Sequence, residues 1–267
     1  MRLTIVTVNY NNAVGLKRTL ESVREQTCKE FEYIVIDGGS SDGSTELLHE
    51  FEEIITDAVS EKDSGVFNAM NKGIKKSTGD YCLFLNSGDY LASKDVIEKV
   101  LPTLDGTDFI SGDTICVHPT GKTAIWKAPR TLSVYVIVRY ALSHQSTFIR
   151  TQLLRNRPYR EDLRIASDWE QELYELVFHD ASYKFIPINV SYFYEDGISR
   201  TNMCGVKKER DKVYAEYFSK RLLSNFLGAN ELMEIVNHAE EGTSVYNYLL
   251  FGCKVARKIH SFLFFNR

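Results

Sequence analysis

Tyr33-Ile-Val-Ile-Asp37-Gly-Gly-Ser-Ser-Asp-Gly43 is the stretch on which the fold turns. Its apolar start reads as a buried strand, and the loop 37–43 is rich in residues that tolerate left-handed backbone or cap a helix. A helix over 45–53 is expected next, then a third strand over 54–59. On the N-terminal side, Leu3-Thr-Ile-Val-Thr-Val8 is another β-branched run, stopped by Asn9-Tyr-Asn-Asn12. Val14, Leu16, Leu20 and Val23 then recur near helical spacing. On the C-terminal side, residues 66–76 read as a helix with Val66, Met70, Gly73 and Ile74 on one side, and Tyr81-Cys-Leu-Phe-Leu85 as a strand ending at Asn86-Ser-Gly-Asp89. Strand and helix signals alternating over the first ~110 residues predict an α/β fold around a parallel sheet built from crossovers.

In such a sheet ligands gather beyond the carboxyl ends of the strands. The loops 9–12, 37–43 and 86–89 all end strands, so together they predict a shared cleft, although each alone is ordinary turn chemistry. From residue 108 shorter strands (109–112, 115–118, 147–150 and 185–193) surround one helix over 168–179, and from 206 the chain reads as helical and charged.

Composition narrows the function classes. A chain of 267 residues with 43% apolar and 25% charged residues buries a sizeable core. Its net charge of −4 gives no global attraction to nucleic acid, so an anionic ligand must be held locally. Cys28, Cys82, Cys116, Cys204 and Cys253 are dispersed and odd in number, against a disulfide framework or a zinc site and in keeping with a reduced, cytoplasmic protein. No run reaches the ~18 apolar residues of a spanning helix, and Leu3–Val8 is too short for a signal-peptide core. Residues 245–267 predict an amphipathic helix, with Tyr248, Phe251, Val255, Ile259 and Phe262 in one stripe and Lys254, Arg257 and His260 elsewhere. That pattern suits peripheral contact with anionic lipid at the inner face of a membrane, and equally packing on the main domain or in a homodimer.

At these loops the sequence resembles the family 2 inverting glycosyltransferases of the GT-A fold, bacterial polysaccharide-assembly enzymes in particular. The likeness lies in Ile5-Val-Thr-Val-Asn-Tyr-Asn-Asn12, Ile34-Val-Ile-Asp-Gly-Gly-Ser-Ser-Asp-Gly-Ser44, Ser60-Glu-Lys-Asp-Ser-Gly65, Asn68-Ala-Met-Asn-Lys-Gly73 and Phe84-Leu-Asn-Ser-Gly-Asp89. It continues through His144-Gln-Ser-Thr-Phe148 and Ser167-Asp-Trp-Glu170. The resemblance spans about residues 3–202 and implies a GT-A domain over 1–205, with a nucleotide-binding half (1–112) and an acceptor half (113–205); the helical extension over 206–267 matches none of its motifs. The resemblance implies transfer of a sugar, with inversion, from a nucleotide-diphosphate donor (a UDP-sugar first) to a hydroxyl of a glycan or lipid-linked glycan in surface-polysaccharide assembly.

The residue chemistry fits that implication. A nucleotide needs a flat partner and polar edge readers: Tyr10 for stacking, Asp37 for ribose or base, and Asp63 for the base edge. Each also reads as loop, cap or turn. Asn71 and Asn86 are further donor-binding candidates, and His144 with the loop 194–199 points to the diphosphate or acceptor. The resemblance makes Asp89 a ligand for Mn²⁺ or Mg²⁺, hard cations suited to oxygen donors. Asn86 and Gly88 stand where the family often has Asp, a departure that bears on metal affinity. Asp168 matches the base that inversion requires, compatibly with a carboxylate at a helix N-terminus. Glu170 points elsewhere on a helix and is a fallback base, Trp169 lines an acceptor pocket or the core, and Lys72 reads as solvated.

Other classes fit less well. A sugar-nucleotide-forming nucleotidyltransferase would carry a glycine-rich basic loop after the first strand, and a nicotinamide dehydrogenase a Gly-x-Gly-x-x-Gly; 9–12 is neither. A non-catalytic partner subunit that binds sugar nucleotide is the alternative from another class.

Overall fold

The computed structural model describes residues 2–194 and 201–223. The expected helix over 245–267 and most of the 194–199 loop lie outside the described residues. Two compact units divide after Arg210, Met1–Arg210 and Asp211–Arg267.

The parallel half is laid down in the order the alternation predicts: β1 (Leu3–Asn9), α1 (Ala13–Arg24), β2 (Phe31–Asp37), α2 (Ser44–Glu50), β3 (Asp57–Ser60), α3 (Val66–Lys76) and β4 (Tyr81–Phe84). β1 pairs in parallel with β2 and β4, and β2 with β3. β1 is buried at every position, as expected of a strand covered on both faces. Gly73 lets α3 press on β1, since a Cβ there would lie 2.4 Å from Val6 Cγ1. The opposite face of the sheet packs Leu3, Ile5, Leu16, Leu20, Tyr33 and Leu83 into the main core.

The second half extends the same sheet with β5 (Tyr90–Leu91), α4 (Val96–Val100), β6 (Phe109–Val117), β7 (Thr123–Trp126), α5 (Val134–Arg139), β8 (Thr147–Arg150), α6 (Thr151–Asn156), α7 (Ser167–Leu173) and β9 (Tyr183–Tyr194). A helix α8 (Met203–Tyr217) comes after β9. The strand order is β3-β2-β1-β4-β8-β6-β9-β5, with β7 paired to β6 outside this path. Pairing is antiparallel from β4 to β8 and β8 to β6, then parallel from β6 to β9.

Several expected boundaries move. The two strands expected over 109–112 and 115–118 are one strand, β6, whose register against β9 shifts around Asp113. A Cβ on Gly112 would meet Ile188 O and Val190 Cγ2 at 2.6 Å, so the glycine is a point of close strand approach and not a break. α2 stops before the buried Phe51, and β3 begins only at Asp57, after the Thr56 N–H has bonded the Tyr33 carbonyl. The helix expected over 168–179 is α7 and then a π-helical turn, Tyr174–Phe178.

Candidate active site

The three polar strand ends are stitched together by their own side chains. Asn9 Nδ2 donates to Asp37 Oδ1 at 2.7 Å, and the Asn11 N–H donates to Ser40 Oγ at 2.7 Å. Asn11 Oδ1 accepts from the Ser41 N–H, and Asp42 Oδ2 accepts from the Ala13 N–H at the start of α1. Asn12 caps α1 through the Gly15 N–H and donates to the Ser87 carbonyl, which ties the first loop to the third. Loops 9–12, 37–43 and 86–89 therefore form one rim. Asn9, Asn12, Ser40, Ser60 and Ser87 are parts of it that sequence reading passed over as turn residues.

Asp37 is placed differently from its expected role. It is fully buried, and its carboxylate accepts from Asn9 Nδ2, the Gly39 and Ser40 N–H groups, and the Ser40 and Ser60 hydroxyls. Burial alone would raise its pKa; these donors more than offset it and hold the carboxyl below the usual carboxylate range. With both oxygens engaged by these donors, Asp37 fixes the shape of the loop. The surface it shapes holds Tyr10 and Asp63. A Cβ on Gly38 would lie 2.6 Å from Asp63 Oδ2 and 3.1 Å from Tyr10 Cδ2. The Tyr10 ring is 66% exposed, so its face is open for stacking.

Asn71 is likewise consumed internally. Its Nδ2 donates to the Tyr159 carbonyl and to Glu161 Oε1, while its Oδ1 accepts from the Tyr159 N–H. It clamps α3 to the 159–161 segment. Lys72, read as solvated, pairs with Glu61 at 2.8 Å.

His144 joins the two halves. Its Nδ1 lies 3.3 Å from Asp168 Oδ2, and its Nε2 lies 3.9 Å from Asp89 Oδ2 and 3.2 Å from Asn86 Nδ2. Burial lowers the imidazole pKa, yet the Asp168 and Asp89 carboxylates outweigh it and leave the pKa raised. A doubly protonated ring donates to Asp168 through Nδ1. It donates to Asn86 through Nε2 when that amide is turned oxygen-first, an orientation that also gives the buried Asn86 Oδ1 the partner it lacks. Asp168 opens α7, as expected. Glu170 points away and is buried in a two-pronged pair with Arg157, which removes it as a fallback base. Trp169 belongs mainly to the core: its Nε1 donates to the Ile137 carbonyl at 2.7 Å, and Arg210 stacks on the ring.

Sequence reading missed Glu172, one helical turn past Asp168. It is buried, accepts from the Leu142 N–H at 2.9 Å, and has its carboxyl pushed well above the ordinary range, first by burial and then by the Asp168 charge. The (i, i+4) spacing was the available signal. Asp168 and His144 open onto a cavity of about 430 Å³ whose walls include Trp126, Tyr140, Leu142 and Phe193. A carboxylate and an imidazole at the end of a mainly apolar cavity can orient a hydroxyl and take its proton.

Among the described residues no cluster of three His, Cys, Asp or Glu side chains is arranged to hold a metal, and no helix is long and apolar enough to cross a membrane. Asp89 stands on the rim with a largely buried carboxylate, an oxygen donor whose coordination of a hard cation ligand oxygens and water can complete.

The model of "Glycosyl transferase family 2" matches residues 4–169. A "PGL/p-HBAD biosynthesis glycosyltransferase" of Mycobacterium tuberculosis is 29% identical over 174 residues, covering 62% of this chain and 66% of that protein. An uncharacterized glycosyltransferase of the same species is 31% identical over 176 residues, covering 63% and 66%. The match thus spans just under two thirds of these curated relatives. Among solved structures, S. aureus TarS 1–349 in complex with UDP superposes with a TM-score of 0.61 at 19% identity, over 81% of this chain and 70% of that one. The mannosyltransferase PcManGT from Pyrobaculum calidifontis, in complex with GDP-Man and Mn²⁺, gives 0.58 at 15% identity, over 95% and 80%. At these identities the structural likeness is one of fold.

Proposed function

Since this chain belongs to glycosyl transferase family 2 and carries its GT-A fold, we propose that it moves a sugar from a nucleotide-diphosphate donor to an acceptor hydroxyl with inversion. The donor is a UDP-sugar and the acceptor a glycan or lipid-linked glycan of surface-polysaccharide assembly. The complexes of TarS with UDP-GlcNAc and of PcManGT with GDP-Man support a nucleotide-sugar donor.

One observation carries the reading: Asp89 and Asp168, 79 positions apart, meet at opposite nitrogens of the His144 ring, at 3.9 and 3.3 Å. In this reading the first carboxylate serves the leaving diphosphate and the second the acceptor, and their shared imidazole supports it. Tyr10 stacks on the base, Asp63 reads its edge, and Asp37 holds the loop that aligns them. Asp89 would hold Mn²⁺ or Mg²⁺, which when bound offsets the charge growing on the leaving diphosphate. Asp168 takes the acceptor proton on the face opposite the leaving group, and His144 fixes its orientation.

Donor turnover with added Mn²⁺ tests the reading. Asp168→Asn is expected to lower kcat by about 10²–10⁴-fold with donor binding retained. Undiminished turnover in that variant would remove Asp168 from the role of base. Nucleotide binding without turnover of any donor would favour a non-catalytic partner subunit.

A further inference from the structure

Charge in this chain is segregated in a way its net value of −4 conceals: residues 114–160 contain no Asp or Glu, yet carry eight Lys and Arg. Six of these contact the protein: Arg150 stacks on Tyr81, Arg139 on Tyr140 and Arg130 on Phe185, Arg155 donates to the Ser77 carbonyl, and Arg157 and Arg160 pair with Glu170. Lys122, Lys127 and Arg130 are exposed on the β7–α5 segment and form no ion pair among the described residues. The nearest acid in sequence, Asp113, accepts from the Ala128 N–H through Oδ1.

The same segment exposes apolar surface. β7 is exposed at all four positions and, among the described residues, pairs only with β6; Ile125, Trp126, Val134 and Tyr140 are 53%, 39%, 40% and 44% exposed. The Trp126 and Tyr140 rings meet edge to face at 6.1 Å. They stand in the wall of the cavity that holds Asp168 and in that of a second cavity of about 170 Å³. Amphipathic aromatic rings and long cationic side chains, with no carboxylate interleaved, are the combination that settles at the headgroup level of an anionic bilayer. Val134 and Ile125 add aliphatic surface with no hydrogen-bonding group, which suits acyl chains better than a polyanion such as nucleic acid.

We propose that the 122–140 face docks on an anionic phospholipid surface, with Trp126 and Tyr140 at the interface and Lys122, Lys127 and Arg130 on the headgroups. The cavity ending at Asp168 then opens beside the lipid, so an acceptor held in a bilayer enters without first leaving it. In sequence this segment is distinct from residues 245–267, and its existence does not depend on sugar transfer.

The chain's own tryptophans supply the test. There are two, and Trp169 is 1% exposed, so a quencher confined to lipid reaches Trp126 alone. The full chain is mixed with equimolar phosphatidylcholine–phosphatidylglycerol vesicles carrying acyl-brominated phosphatidylcholine. Quenching of emission is expected with these vesicles, little with phosphatidylcholine alone, and none in Trp126→Phe. Neutralising three cations in Lys122→Gln/Lys127→Gln/Arg130→Gln is expected to weaken vesicle binding on the order of a hundredfold, at about fivefold per charge. The melting temperature of that variant, all of whose changes are on exposed side chains, checks that it is folded. Co-sedimentation with vesicles but no quenching of Trp126 would overturn the proposal and transfer membrane contact to another segment. So would absence of binding, equal binding to uncharged vesicles, or a single-stranded oligonucleotide that displaces the vesicles from Trp126.

Discussion

Glu172 and Asp37 are buried carboxyls with opposite electrostatic fates, and each makes a prediction at the level of one side chain. Burial and the Asp168 charge raise the folded pKa of Glu172 above its unfolded value of about 4.3. Its contribution to stability is therefore full below about pH 4.3 and declines as pH rises toward the folded value. Glu172→Gln keeps an oxygen for the Leu142 N–H and removes that decline. It should raise the melting temperature relative to wild type more at pH 8 than at pH 5, and an equal difference at the two values would mean an ionised native Glu172. Asp37 runs the other way: its folded pKa is depressed, so its stabilisation is present above about pH 3.9 and lost as pH falls through the folded value. Asp37→Asn turns one acceptor into a donor facing donors and should cost about 2–3 kcal/mol in urea unfolding at pH 7. A cost near zero would show that the loop keeps its shape without the charge. The residue types here were readable from sequence, but their commitments were not. Nothing local in the chain shows that Ser60 would donate to Asp37 or that the Tyr159 backbone would bond Asn71.

Elements were readable where a single periodicity governs them. Val66–Lys76 comes from one helical stripe, and its ends agree with the pattern because Gly65 and Ser77 lie just outside it. β6 was not readable in the same way, since Gly112 looks like punctuation when its partner strand, some 75 residues later, is unknown. Gly73 and Gly112 are contact points and not flexible points, which can be measured. Gly73→Ala brings a methyl against Val6 and should destabilise by about 1–3 kcal/mol, the usual range for overpacking. Adding Val6→Ala should return part of that loss, a coupling that separates crowding from any change in helix propensity. If the double variant is simply additive, α3 and β1 are less tightly apposed than the 2.4 Å approach implies. Gly112→Val faces the Ile188 carbonyl as well as Val190, so it has no comparable single-residue rescue.

At the level of the molecule, the half built from sequential crossovers announced itself and the other half did not. β1, α1, β2, α2, β3, α3 and β4 succeed one another in the chain and pack beside one another, so local signals suffice. β8, β6, β9 and β5 join the sheet out of chain order, which makes their placement a matter of long-range packing. The candidate site spans this divide. Tyr10, Asp37, Asp63 and Asp89 come from the first half, while His144 and Asp168 come from the second and reach Asp89 through one imidazole. A donor that binds this rim therefore ties down both halves, and the native state gains stability by mass action, about 2.7 kcal/mol at a ligand concentration a hundred times Kd. UDP with Mn²⁺ should raise the melting temperature of the full chain, and by more than UDP alone. Asp89→Ala should keep the metal-independent rise, which Tyr10 and Asp63 support, and lose the increment due to Mn²⁺. Should the increment survive in Asp89→Ala, the cation is held by groups other than this carboxylate; should GDP or dTDP outperform UDP, the base pocket selects a different nucleotide on the same rim.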